Sequence, residues 1–142
     1  MKINWIAIAL AAILVGILIW VIVCQIKEHH LQDDPMLHYL KQVMEPVHPI
    51  VKTLKLYKGD KSYTINKEKV FLCLKCNGDE LCGLNHLVYV LTHEIAHVLN
   101  KKDVGHTEEF HRIFDELLAR ATEVGAFNPS IPIVTDYCGG SN

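Results

Sequence analysis

The sequence predicts an α+β domain of three helices and a three-stranded sheet, standing behind an N-terminal transmembrane helix. Three observations lead there. Residues 5–24 form an unbroken uncharged run, apolar residues recur at helical spacing in three later segments, and three short strand-like segments lie between the first two of these. With 142 residues, 50% hydrophobic and 21% charged, the chain is long enough for one compact domain and too apolar to be mainly disordered. The expected division is 1–26 as an anchor and 27–142 as the folded domain. The net charge of −2 is spread over both signs without a basic block, so nucleic acid is not an expected partner.

The run WIAIALAAILVGILIWVIVC, at a helical rise of about 1.5 Å per residue, spans roughly 30 Å, the thickness of a bilayer's hydrocarbon core. Trp5 and Trp20 suit the two interfaces. A cleaved signal peptide has a shorter apolar region and a small-residue cleavage site, and this run closes on Val-Ile-Val-Cys. An uncleaved single-pass anchor is therefore expected. Lys2 on one side and Lys27 with Glu28 on the other lean only slightly toward an N-terminus in the cytoplasm.

After a polar connector over 27–33, Asp34 and Pro35 supply an N-cap and a first-turn proline. Met36, Leu37, Leu40, Val43, Met44 and Val47 follow at helical spacing, predicting a helix to about Glu45, with Pro46 and Pro49 ending it. The period then changes. Residues 53–57 read as a strand, 58–60 as a turn and 62–65 as its hairpin partner. The apolar run 70–74 reads as a strand covered on both faces, and 77–79 as another turn. A helix from 84 to about 100 is apolar on most of its circumference and should be buried. In the last helix, capped by Thr107, residues Phe110, Ile113, Phe114, Leu117, Leu118 and Ala121 make one stripe, which Gly125 can close. The tail from Asn128 reads as irregular.

The five cysteines give an odd count, unlike a complete disulfide framework. Cys24 belongs to the anchor. Cys73 and Cys76 form a C-x2-C pair with no second pair at zinc-ribbon spacing, and Cys82 and Cys138 stand isolated, so ordinary thiols are expected rather than structural zinc. A Cys76–Cys82 disulfide stays open as a reading for an oxidising compartment.

Chemistry concentrates in the second of the three domain helices, where a predicted core element carries His93, Glu94 and His97. Ionisable groups in a core are costly unless paired or bound to metal. His-Glu-x-x-His on a helix puts both imidazoles on one face, within reach of one Zn2+, and sets Glu94 beside the metal as a proton acceptor. The competing reading is two satisfied core histidines with a salt-bridged glutamate. Catalytic zinc needs a third protein ligand, and His106 is the choice, brought in by the turn at 101–105 with Gly105 allowing a tight approach. His111 lies off the apolar stripe and competes less well. Glu108 and Glu109 are open to a reading as ligands of a different zincin type, but they fit a helix start without extra assumptions. His29, His30, His38 and His48 read as solvated or capping, and His86 as a residue lining the cleft.

The stretch from Val70 to Phe127 resembles the WLM metallopeptidases, relatives of the SprT-like proteases. The resemblance rests on the strand VFLCLK, Asn85 at a helix start, the HEIAHV core, GHTEEFHRIFDELLARA and a tail with Tyr137-Cys138-Gly139. It is nearest to short WLM-type proteins of large DNA viruses, some with an N-terminal membrane segment. It implies a small zincin-like fold for 27–142, Zn2+ on His93, His97 and His106, and Glu94 as the catalytic base. The spacer from His97 to His106 is longer than the commonest WLM spacing, and the partner-binding tails of cellular WLM proteases are not expected here, so a role in DNA–protein crosslink repair is not carried over.

The expectation is therefore a membrane-anchored zinc metallopeptidase acting on protein or peptide substrates through zinc-activated water, with residues 5–24 in a membrane. The strand 70–74 is expected to edge the cleft and align the peptide. His111 and Tyr137 are the candidates for a helper at the oxyanion. The alternative is a structural membrane or virion component that keeps the zincin-like fold as a scaffold among neighbouring virion proteins.

Overall fold

The computed structural model describes residues 4–102, 104–135, 137 and 138. Lys2 and Gly139, both used above, lie outside them, as does Asp103 of the turn before His106. The described chain is α+β, with four α-helices, a small mixed sheet and a separate two-stranded ribbon.

Helix α1 runs over Trp5–Gln32, longer than the apolar run itself. The segment expected as a connector is its last turns. Nothing in Lys27-Glu28-His29-His30-Leu31-Gln32 breaks a helix, and the end comes where Asp34 precedes a proline, a position that disfavours helical backbone. Its Glu28 carboxylate ties the helix to the sheet, accepting from Tyr57 Oη (2.6 Å) and pairing with Lys69 Nζ (2.7 Å). Among the described residues α1 is the helix long and apolar enough to cross a membrane, and none of its side chains is buried within the chain.

Helix α2, Pro35–Met44, starts as the sequence predicts. The Asp34 side chain accepts from Met36 N at 2.9 Å, Pro35 occupies the first turn, and Leu37, Leu40 and Met44 are buried. A 3-10 turn, Pro49–Lys52, follows, capped by the His48 ring.

The strands are β1 (Lys55–Lys58), β2 (Tyr63–Ile65) and β3 (Lys69–Leu72), in the order β1-β3-β2. This corrects the expected pairing of 53–57 with 62–65. The antiparallel hairpin is β2–β3, turning through Asn66 and Lys67 with φ of 51° and 57°, and β1 lies parallel to β3 on its far side. The physical reason lies in the strands' own composition. Val70 and Leu72 are fully buried and Phe71 half-buried, so β3 is apolar on both faces and takes the centre, leaving the more polar Tyr-Thr-Ile segment an edge. It also corrects the expectation that 70–74 edges a cleft, because β2 holds the edge. A second ribbon, β4 (Lys75–Cys76) with β5 (Glu80–Leu81), folds across the turn at Asn77 and Gly78.

Register then decides which residues meet the helices. Tyr57, Phe71 and Tyr63 are opposite one another and stack in a ladder, with ring centroids 4.8 Å apart at each step. Their neighbours Leu56, Val70 and Thr64 form the other face. Helix α3, Leu84–Leu99, crosses the core with Leu87, Val88, Leu91, Ile95 and Ala96 all at 0% exposure. Each of the four larger side chains contributes roughly 1.5–3 kcal/mol on leaving water. Helix α4, Glu108–Glu123, lays Phe110, Phe114, Leu117 and Ala121 against α3, as its stripe predicts. It ends through Gly125 at φ +77°, where the Gly125 and Ala126 amides take up the carbonyls of Thr122 and Ala121.

Two disulfides hold the tail side of the domain, Cys73–Cys138 and Cys76–Cys82. The first overturns the reading of Cys73 and Cys138 as unlinked thiols. The tail folds back so that Tyr137 bridges to Cys76, and this contact sets Cys138 beside a cysteine 65 positions away.

Candidate metal centre

Three imidazoles converge at one end of α3. His93 and His97 share a face, one turn apart, with their Nε2 atoms 3.2 Å from each other. His106 Nε2 lies 3.0 Å from His93 Nε2, and the three ligand atoms all fall within 4.8 Å of one another. A zinc ion at about 2.0–2.1 Å from each nitrogen in tetrahedral geometry would hold them roughly 3.3 Å apart. Mutual hydrogen bonding alone serves the trio poorly, because a neutral imidazole has a single N–H and two rings address the same His93 nitrogen. The donor set therefore fits a tetrahedral cation that would take three ligands from the described residues.

Local structure explains how His106 arrives. Helix α3 stops at Asn100, and Thr107 caps α4 by accepting from Phe110 N, so the intervening turn must reverse the chain within a few residues. Gly105 does this at φ +101°, a conformation that side chains rarely adopt. The expectation that Gly105 serves close approach is corrected, since a Cβ there would meet nothing within 4 Å; the requirement is conformational. Phe110, 1% exposed, floors the site, with its ring centroid 4.9, 4.4 and 4.8 Å from those of His93, His97 and His106. His111 is exposed, its ring 6.5 Å from that of His106, and it lies outside the trio.

Burial and the neighbouring rings push His93 down to about 4, and burial lowers His97 as well. Both imidazoles are thereby kept neutral, the form that binds metal. The linkage sign follows: a histidine depressed from 6.5 to about 4 stabilises the fold above its ordinary value and loses that contribution as pH falls toward 4. His86 and His48 are lowered by burial and act alike, whereas Glu94, raised by burial, acts in the opposite direction. The chelator-treated chain is expected to show a melting temperature that declines between pH 6.5 and 4, measured by circular dichroism.

Glu94 is 5% exposed and sits on α3 beside the trio without joining it. Thr64 Oγ1 donates to Glu94 Oε2 at 2.7 Å, which leaves Oε1 free of protein partners among the described residues. Burial raises the Glu94 carboxyl above its ordinary value and the Thr64 bond holds it partly back. Thr64 was not singled out from the sequence. Only the strand register, which pairs it with Val70 on the α3 side, brings it here.

Two expected participants are engaged with the tail, although Tyr137 still feels the Glu94 charge. The Tyr137 hydroxyl donates to Cys73 O at 2.6 Å and is also joined to Ser62 Oγ, so its proton is committed to the tail's attachment. His86 does not line the site. It is buried against Tyr137, with ring centroids 4.7 Å apart, and its Nδ1 accepts from Val134 N at 3.2 Å. Asn85 makes a comparable tie, accepting from Asn128 N at 2.7 Å and donating to Asn128 O at 3.1 Å.

No protein-family model and no solved structure matches the chain. It has homologues in invertebrate iridescent viruses. Uncharacterized protein 136R of Invertebrate iridescent virus 6 is 45% identical over 92 residues, which cover 63% of this chain and 51% of the relative. Uncharacterized protein 042R of Invertebrate iridescent virus 3 is 37% identical over 98 residues, 67% of this chain and 61% of the relative. The chain is thus similar to viral proteins of which it spans between half and two thirds of the length.

Proposed function

We propose that the domain is a zinc-dependent metallopeptidase of the WLM type, held at a membrane by α1. The observation that carries this is the convergence of His93, His97 and His106 on one point with a buried carboxylate, Glu94, on the adjoining helix position. Structural zinc is normally closed by four protein ligands, whereas three histidines and a nearby base leave room for chemistry. Bound there, Zn2+ would polarise the scissile carbonyl and acidify the attacking water.

The protein's own groups do the rest. Glu94 Oε1, the oxygen not engaged by Thr64, takes the proton of the attacking water and returns it to the leaving amine. Thr64 fixes the carboxylate's rotation. Phe110 keeps water from the underside of the histidines. Strand β2 pairs only with β3 among the described residues, so its other edge offers backbone groups to an extended peptide alongside α3.

The test is chelator-sensitive cleavage of a mixed, unfolded protein substrate by the full chain supplied with Zn2+. Absence of cleavage across varied substrates would favour a scaffold among virion proteins. Thr64→Val, which keeps the side-chain shape and removes the donor, is expected to lower kcat several-fold while leaving zinc stoichiometry at one, by rate measurement and metal analysis of the same sample. The anchor has its own check. The full chain should resist alkaline carbonate extraction and a chain starting near Lys27 should not, whereas a mature N-terminus near Gln25 would mark α1 as a cleaved signal.

A further inference from the structure

A second cluster of soft metal donors lies on the tail side of the domain, away from the three histidines. Cys76 ends β4, Cys82 follows β5, and His86 stands in the first turn of α3, a C-x5-C-x3-H spacing. All three are buried, at 4%, 2% and 5% exposure, and their donor atoms lie within 4.8 Å of one another. The cysteines are joined as a disulfide, with Cα atoms 5.0 Å apart. The histidine is the unexplained member. Its Nε2 is buried with no hydrogen-bond partner, a state that folded chains ordinarily avoid.

We infer that the reduced chain carries a second site for a thiophilic d10 cation on Cys76, Cys82 and His86, which formation of the Cys76–Cys82 disulfide abolishes. The chemistry balances with a thiol reductant. Two reductant thiols give two electrons and two protons to the Cys76–Cys82 sulfurs and leave as their own disulfide, while the Cys76–Cys82 bond breaks. A divalent cation then displaces the two thiol protons. Two thiolates and one neutral imidazole around a 2+ ion carry no net charge, which suits a buried position. The Cα separation lets side-chain rotation alone move the sulfurs to the roughly 3.8 Å that Zn–S bonds of about 2.3 Å require.

His86 couples the site to the tail. Coordination through Nε2 moves the ring proton to Nδ1, which can then no longer accept from Val134 N; coordination through Nδ1 displaces Val134 directly. Filling the site therefore releases one of the bonds that hold the tail, and closing the disulfide restores it. The site is independent of the proposed peptidase centre.

The experiment loads the full chain in detergent with Zn2+ and, separately, Co2+, with and without prior reduction by a thiol reductant that is removed under anaerobic conditions before metal is added. Expected are one equivalent in the oxidised chain and two in the reduced chain, with a thiolate-to-Co2+ charge-transfer band only in the latter. The three-histidine centre has no thiolate and cannot produce that band. His86→Ala and Cys82→Ser should each lose the second equivalent and weaken or abolish the band, keeping the first equivalent as proof of folding, while His106→Ala should keep the band. Cys138→Ser should also retain it. One equivalent in both redox states, or a second equivalent that survives His86→Ala or disappears in Cys138→Ser, overturns the assignment.

Discussion

Replacing Glu94 by glutamine is expected to leave a folded chain that binds one Zn2+ and hydrolyses peptide bonds about 10²–10⁴-fold more slowly than the wild type. The amide keeps the shape and can still accept from Thr64 Oγ1, so the packing around this buried position is preserved. Its nitrogen cannot take a proton from the attacking water. Burial raises the wild-type carboxyl above its ordinary value, which brings the base nearer to the pH at which it must work, and that advantage is lost with the proton site. Removing a carboxylate from so enclosed a position should leave stability unchanged or slightly improved. The decisive comparison is the initial rate of both proteins on one unfolded substrate, with metal content measured on the same samples. Equal rates would remove Glu94 from the mechanism.

His106→Ala is expected to weaken Zn2+ binding by more than the roughly 10–100-fold that follows loss of a ligand's hydrogen-bond partner, because a ligand itself is gone. Peptide hydrolysis should fall with it at limiting zinc. The fold should survive, since His106 stands exposed in a turn whose geometry belongs to Gly105 and the Thr107 cap. His111→Ala supplies the contrast. That ring is exposed and outside the trio, and its replacement should leave zinc affinity unchanged in a competition titration with a chromophoric chelator. The reverse pattern, with affinity lost in His111→Ala and kept in His106→Ala, would reassign the third ligand.

These two variants probe residues that the sequence alone singles out, and the reason is locality. A ligand pair at i and i+4 is a property of helix geometry alone, and a third histidine just before a Thr-Glu-Glu helix start is delivered by the turn that joins two packed helices. The same locality made α2, α3, α4 and the apolar run of α1 legible, with caps at Asp34 and Thr107 found where their side chains bond the first turn.

Pairing over longer distances was not legible. Hairpin chemistry at 58–60 suggested β1 against β2, yet the strand most apolar on both faces took the centre, because only there are both of its faces and both of its edges covered. That one outcome put Thr64 rather than the 70–74 strand beside the site and gave Glu94 its hydrogen bond. The tail behaved likewise. Nothing near Cys138 announces Cys73, and Tyr137 reads as a candidate helper at the oxyanion until the return of the chain commits its proton to the Cys73 carbonyl. By itself the sequence determined the helices, the anchor-like run and a three-histidine constellation with its carboxylate, since each depends on contacts within a few residues or across one turn. Strand order, the Cys73–Cys138 disulfide, the orientation of Glu94 and the burial of His86 were decided only by the tertiary structure. They depend on which surfaces compete best for the core once the whole chain collapses, and no local spacing encodes that competition.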